Sequence, residues 1–267
     1  METFALTHPG YKRKHNEDHS FIKEFSDNKC LLAVADGMGG HVGGEMASRL
    51  AIDVVKDDDL SVQDIESHLG DIIRTGHSNI LETVKKKPEL RGMGTTLSIA
   101  YIKDGIVHWA HVGDTRLYLF HNEKLFLITK DHTIPGVLME KKKITAEQAR
   151  KHPMRHMLLR CVGCKDCEPE TGSFRVEPGD TVILCSDGLY DEVSPDVMIS
   201  ILQKEQTSEQ KLETLIDTAL QYGEIPPEAI ISILKTHQTL KQKIHMLVNA
   251  ALKAGGSDNI TIVGAEI

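Results

Sequence analysis

Short β-branched and apolar runs punctuate the chain at residues 30–35, 95–102, 106–112, 117–120, 125–129, 181–185 and 260–263. Runs of this length, bounded by Gly, Asp or Asn, predict buried strands. Apolar residues spaced three and four apart predict helices over 44–55, 61–84, 195–203 and 208–220. The strands arrive in groups broken by paired helical stretches, not in strict alternation with helices. That order predicts an α+β chain of packed antiparallel sheets with helices outside, rather than a doubly wound parallel sheet.

Two segments interrupt the strand series. Residues 132–168 carry a helix of their own, opened by Thr145 with Gln148 three positions on, the pattern of a capping box. This segment reads as a surface subdomain. Residues 222–253 contain Pro226 and Pro227 at a helix start, followed by two amphipathic stretches separated near His237. They predict a helical hairpin laid on the main body. With no tandem repeat, low-complexity tract or Gly/Ser-rich linker, the expectation is one domain over residues 1–267.

Composition narrows the function. Apolar residues at 40% and charged residues at 26% fit a globular chain with a sizeable core. A formal charge of −8 gives no long-range field to attract a polyanion, which argues against nucleic acid as a partner. No run approaches the roughly 18 apolar residues that cross a bilayer, and the opening METFALTHPG lacks the basic and apolar regions of an export signal. A monomeric, cytoplasmic protein is expected. Of the five cysteines, Cys30 and Cys185 fall inside apolar runs and read as inert core thiols. Cys161, Cys164 and Cys167 form C-x2-C-x2-C without a fourth ligand at metal-site spacing, so they read as a reduced loop rather than a zinc site.

Candidate chemistry lies in the carboxylates. CLLAVADG ends at Asp36 and Gly37, and TVILCSDG ends at Asp187 and Gly188. In each, an apolar strand delivers an aspartate at its mouth, beside a glycine that permits a sharp turn. HWAHVGDT does the same at Asp114, and Asp258 in GGSDNITIV stands just before an apolar strand, so an antiparallel neighbour would bring it to the same rim. Four carboxylates on one rim repel one another unless cations neutralise them, and all-oxygen ligands select Mg²⁺ or Mn²⁺. A single D-G is ordinarily only a turn signal; the set carries the inference. Near the N-terminus, Arg13 offers a fork suited to phosphate oxygens, and Glu17 and Asp18 can hold metal-bound waters.

In order along the chain stand R-x-x-N-E-D (13–18), VADGMGGHVGGEMAS (34–48), MGTT (93–96), GDTR (113–116), KDHT (130–133), ITAEQARKHPMRHMLLRCVG (144–163), CSDGLYDEVS (185–194) and GGSDNITIV (255–263). With these motifs the chain resembles the metal-dependent protein phosphatases, the type 2C or PPM serine/threonine family, in its bacterial form. The resemblance implies a four-layer αββα sandwich, two antiparallel sheets flanked by helices, with a metal cleft at one end and residues 132–168 as a flap over it. It implies two to three Mn²⁺ or Mg²⁺ ions. Asp36 would bridge two of them, the Gly37 carbonyl would complete the first, and Asp187 and Asp258 would hold the second. Glu17 and Asp18 would act through water, Asp114 with Asp187 would hold a weaker third ion, and Arg13 would grip the substrate phosphate. The implied reaction is direct attack of metal-activated hydroxide on a phosphoserine or phosphothreonine of a protein.

Three departures accompany the resemblance: Met38, the hairpin at 222–253, and Thr115 for the family's serine in GDTR, which leaves Asp114 untouched. Met38 stands where the animal branch has a histidine after the metal-binding D-G; His41 is near enough to be a candidate general acid, and metal-bound water is an equally compatible one. Lys141–Lys143 on the flap segment could meet an acidic or phosphorylated substrate. The hairpin at 222–253 is longer than is usual in bacterial relatives and is a candidate docking surface for a protein partner or substrate.

Overall fold

The structure, a computed structural model, describes residues 1–26, 28–202 and 239–267, with the side chain of His41 also outside the description. Eleven strands form two antiparallel sheets among these residues. The first runs β1 (Glu2–His8), β11 (Ile260–Glu266), β10 (Thr181–Cys185), β7 (Arg116–His121), β8 (Lys124–Leu127). The second runs β2 (Asp18–Ser26), β3 (Lys29–Met38), β5 (Leu97–Lys103), β6 (Ile106–Val112), β9 (Glu170–Arg175), with the short β4 (Gly94–Thr95) pairing at the end of β3.

The predicted runs are apolar on both faces because both faces are covered, and side chains alternate between them. On β3, Cys30, Leu32 and Val34 point into the layer between the sheets, where they meet Leu117, Val182, Leu184 and Val263. Leu31, Ala33 and Ala35 point the other way, onto α1 (His41–Asp57) and α2 (Ile65–Lys86). On β10, Val182 and Leu184 face the inner layer. Ile183 and Cys185 face α5 (Asp187–Tyr190), α6 (Pro195–Leu202) and α7 (Leu240–Ala254). Three apolar layers separate four structural ones, the α-β-β-α sandwich.

The predicted helix over 61–84 starts at Ile65, where Asp64 caps the Ser67 N–H. Between β8 and β9 lie α3 (Ile134–Glu140) and α4 (Ala146–Arg150), the latter opened by the expected Thr145–Gln148 capping box. The helix predicted over 208–220, and residues 222–238 of the predicted hairpin, lie outside the described residues. The rest of that hairpin corresponds to α7. It buries Leu240, Ile244, Leu247, Val248 and Ala251 against the first sheet, so this half is a structural layer of the sandwich rather than a decoration on it. No described helix is long and apolar enough to cross a membrane.

Cys30 and Cys185 are fully buried, and loss of water pushes both thiols up to about 12. The expectation of a reduced loop at 161–167 is corrected. Cys161 and Cys164 form a disulfide, their Cα atoms 5.2 Å apart, and Cys167 remains a half-buried thiol. A three-residue separation brings two cysteines close enough to bridge wherever the chain turns back between them, as it does here with the Cys164 N–H donating to the Cys161 carbonyl.

Candidate active site

The cleft opens at one end of the sandwich, with a volume of about 330 Å³ and a wall that includes Arg13, Glu17, Asp36, Asp114, Asp187 and Asp258. Asp36 lies near the end of β3 and pairs across the ladder with Asp18, the first residue of β2. Directly opposed residues share a face, and like charges there are destabilising. Asp187 opens α5 immediately beyond β10, and Asp258 precedes β11. Because β10 and β11 are antiparallel neighbours, the two acids meet at the same rim. Asp114 follows β6 after Gly113 and is 6% exposed.

Burial sets the electrostatics. It pushes the Asp36 carboxyl well above the usual carboxylate range, and Asp18, Asp187, Asp114 and Asp258 add to the shift. Burial raises Asp114 in the same way, with Asp187 next in effect. Asp18 is raised to about 7, again mainly by burial, although hydrogen bonds from Thr261 and Ser186 oppose the shift. Ser186 Oγ donates to Asp18 Oδ2 at 2.7 Å, whereas Oδ1, also buried, has no partner. An orphaned buried carboxylate oxygen among mutually repelling acids fits a hard cation bound by oxygen.

The two D-G glycines do not act as the turn residues the sequence suggested. Gly37 stays within β3 and Gly188 within α5, neither with a positive φ. Each is needed for close approach of another backbone. A Cβ on Gly37 would sit 2.1 Å from the Gly44 carbonyl oxygen, and one on Gly188 would sit 2.0 Å from that of Asn259. The first packs α1 against the end of β3, and the second packs α5 against the start of β11.

Arg13 is exposed and donates to Asp258 Oδ2 at 2.6 Å. Its loop is held by Asn259, a residue given no separate role in the sequence reading. Asn259 Nδ2 donates to the carbonyls of Pro9 and His15, and its Oδ1 accepts from the Glu17 N–H. Glu17 is fixed further by its carbonyl, which accepts from the Gly37 N–H and from Ser48 Oγ. The Asp36 backbone is gripped by Thr96, whose N–H donates to the Asp36 carbonyl and whose Oγ1 accepts from the Asp36 N–H. Arg116 forms a two-pronged pair with Asp131 and stacks 3.5 Å over the Tyr190 ring, and Tyr190 Oη donates to the Asp114 carbonyl.

His156 also lines the cleft, unforeseen from sequence. Its Nδ1 lies 3.3 Å from Asp187 and its Nε2 lies 3.6 Å from Asp191. Ligand atoms of these three residues lie within 4.8 Å of one another. Its only sequence signal was a place inside the 144–163 motif. His41 is the first residue of α1, after Gly39 and Gly40 of the cleft wall. Lys141–Lys143 are exposed, immediately after α3.

Residues 10–225 match the family model described as Protein phosphatase 2C. The serine/threonine protein phosphatase PstP of Mycobacterium tuberculosis is 37% identical over 219 residues, covering 81% of this chain, which itself spans only 41% of that protein's length. The serine/threonine phosphatase stp of Listeria monocytogenes is 35% identical over 229 residues, 83% of this chain and 91% of its own. The crystal structure of the PstP catalytic domain in complex with two manganese ions superposes with a TM-score of 0.75 at 32% identity, covering 99% of this chain and 97% of the other. A family match over most of the length, a shared two-sheet sandwich, and acids gathered at the strand ends lead to one conclusion: this chain belongs to the protein phosphatase 2C family.

Proposed function

We propose that this protein removes phosphate from phosphoserine or phosphothreonine in protein substrates, using two or three Mn²⁺ or Mg²⁺ ions. The observation that carries the reading is the convergence of Asp36, Asp114, Asp187 and Asp258 on one cleft, with Asp18 buried opposite Asp36 and holding an unpartnered oxygen. Asp36, the Gly37 carbonyl, Asp187 and Asp258 would hold the principal pair, with Glu17 and Asp18 acting through ordered water. Asp114 would share a third ion with Asp187. When bound, the ions supply an activated water and neutralise phosphoryl charge.

The chain's own groups then orient the ester. Arg13, which here donates to Asp258, would be free to turn its fork to the phosphate oxygens if that carboxylate held a cation. Asn259 keeps the loop in reach by holding Pro9, His15 and Glu17 together. His41 at the start of α1 remains the candidate proton donor to the departing oxygen.

The test is hydrolysis of a phosphothreonine peptide. With Mn²⁺ the protein should turn the peptide over; excess chelator should abolish turnover, and Mn²⁺ should restore it. Turnover that persists in chelator would reject a metal-dependent site. Arg13→Ala should raise KM for the peptide roughly ten- to a hundredfold, the worth of about 1.5–3 kcal/mol for hydrogen bonds to a charged group. An unchanged KM would remove Arg13 from phosphate binding.

A further inference from the structure

Beside the cleft lies a second, larger concavity of about 500 Å³, between the first sheet, α5 and the segment carrying α3 and α4. Its apolar wall includes Tyr118, Leu125, Leu127, Pro135, Met139 and Tyr190. It adjoins the cleft, with His156 lining both. The dividing wall is α5: Asp187 faces the cleft, while Tyr190 and Asp191, one turn on, face the groove. One helical turn is only about 5.4 Å, so the groove begins within one or two residues' reach of a chain whose phosphorylated side chain sits in the cleft.

The outer wall is tied down. Arg150 donates to the Asp191 carbonyl at 2.7 Å and Arg155 to the Asp191 carboxylate at 3.3 Å, so α4 and the segment after it close on α5. Leu127 is 41% exposed, a large apolar side chain left open to water. A polar cleft joined to a fixed apolar groove of ligand-site size suits a ligand with a charged reacting group and apolar flanks.

We propose that this groove is a specificity subsite that takes an apolar side chain of the substrate polypeptide, close in sequence to the phosphorylated residue. The occupant is the substrate chain because the groove lies against the reaction cleft, with His156 in both walls and Asp191 four residues from Asp187, and a polypeptide anchored by its phosphate must leave the cleft alongside. This subsite rests on the phosphatase reading above.

The test uses the full chain with Mn²⁺ and a set of phosphothreonine peptides. A single Leu is moved through the positions flanking the phosphothreonine, all others being Ala, and p-nitrophenyl phosphate serves as a substrate without flanks. The expected result is a preference of about tenfold in kcat/KM for Leu at one or two positions. Leu127→Glu and, separately, Met139→Glu should erase it while leaving p-nitrophenyl phosphate turnover unchanged, which also shows that the variants are folded. Equal rates for all peptides, or a preference that survives in both variants, would overturn the subsite and leave the phosphatase reading standing. A groove covered by a second copy of this chain would show as a dimer dissolved by Leu127→Glu, without a Leu preference, and would likewise overturn it. Absence of hydrolysis of every phosphopeptide would overturn both readings.

Discussion

Asp36→Asn is expected to lower turnover of a phosphothreonine peptide by roughly a thousandfold or more and, at the same time, to raise the melting temperature of the metal-free protein. The first effect follows if Asp36 bridges the cations, since removing one strong electrostatic stabiliser of a reacting centre already costs about 10²–10³ in rate. The second follows from the cluster itself. Asp36 is held well above the ordinary carboxylate range by burial and by four neighbouring acids, so its charged form is unfavourable in the folded chain without metal. Asparagine keeps the shape and removes the charge. Each kcal/mol regained raises the melting temperature by about 2–4 °C in a chain of this size class.

The pH dependence has a definite sign. Asp18, Asp36 and Asp114 all have folded-state values raised above their ordinary ones, so they bind protons more tightly folded than unfolded. The stability they contribute is complete below about pH 4 and is lost as pH rises through the folded values, about 7 for Asp18. The metal-free protein should therefore lose melting temperature between about pH 4 and pH 8, and Asp36→Asn should flatten that slope. Saturating Mn²⁺ should reverse the loss at the upper end, because a ligand that binds only the folded state stabilises it. Thermal scans of both proteins with chelator and with Mn²⁺ check all of this. A variant as active as the parent, or an unchanged slope, would contradict the account.

Lys243→Ala should be the most damaging substitution away from the cleft. Lys243 lies on α7, is 2% exposed, and donates its ammonium to Glu266 at the end of β11. Removing the lysine breaks this pair and empties the space its buried stem fills, a change that typically costs about 3–5 kcal/mol for a buried pair. Replacing both partners, Lys243→Met with Glu266→Leu, removes two charges together and should recover most or all of that loss. Urea unfolding midpoints of the single and double variants measure the difference. A single variant as stable as the parent would show that the pair does not hold α7 to the sheet. Peptide turnover by the folded variants should stay near the parent's, since neither residue lines the cleft.

The same contrast between local and distant causes explains what the sequence reading found. Strands β3, β5, β6, β10 and β11 were legible because both faces are covered and nearly every position is apolar. The strands β1, β2 and β9 were missed. Each lies at the edge of a sheet and reads polar, as in ETGSFR, because one side of the ladder and part of each face meet water. The four-residue α5 was missed as well, being too short for any period to show.

Within the site, the residue types were legible and their company was not. An aspartate beside an apolar run is written locally, so Asp36, Asp114 and Asp187 after their strands and Asp258 before its own stood out in the chain. That Asp18 faces Asp36 depends on the register between β2 and β3, which the edge strand does not announce. Tyr190 and Arg116 support Asp114 through a stack built from the end of α5 and the start of β7. His156 reaches Asp187 from a segment that Arg150 and Arg155 tie to Asp191, just beyond α5.

What the sequence determined by itself was the sandwich and the acids that crown it, because two-sided burial and strand-end carboxylates are properties of short runs. What the tertiary structure decided was which charges oppose one another, why Gly37 and Gly188 must be glycine, and where an apolar groove meets the cleft. Those depend on distances between segments far apart in the chain, and such distances are fixed only when the layers pack.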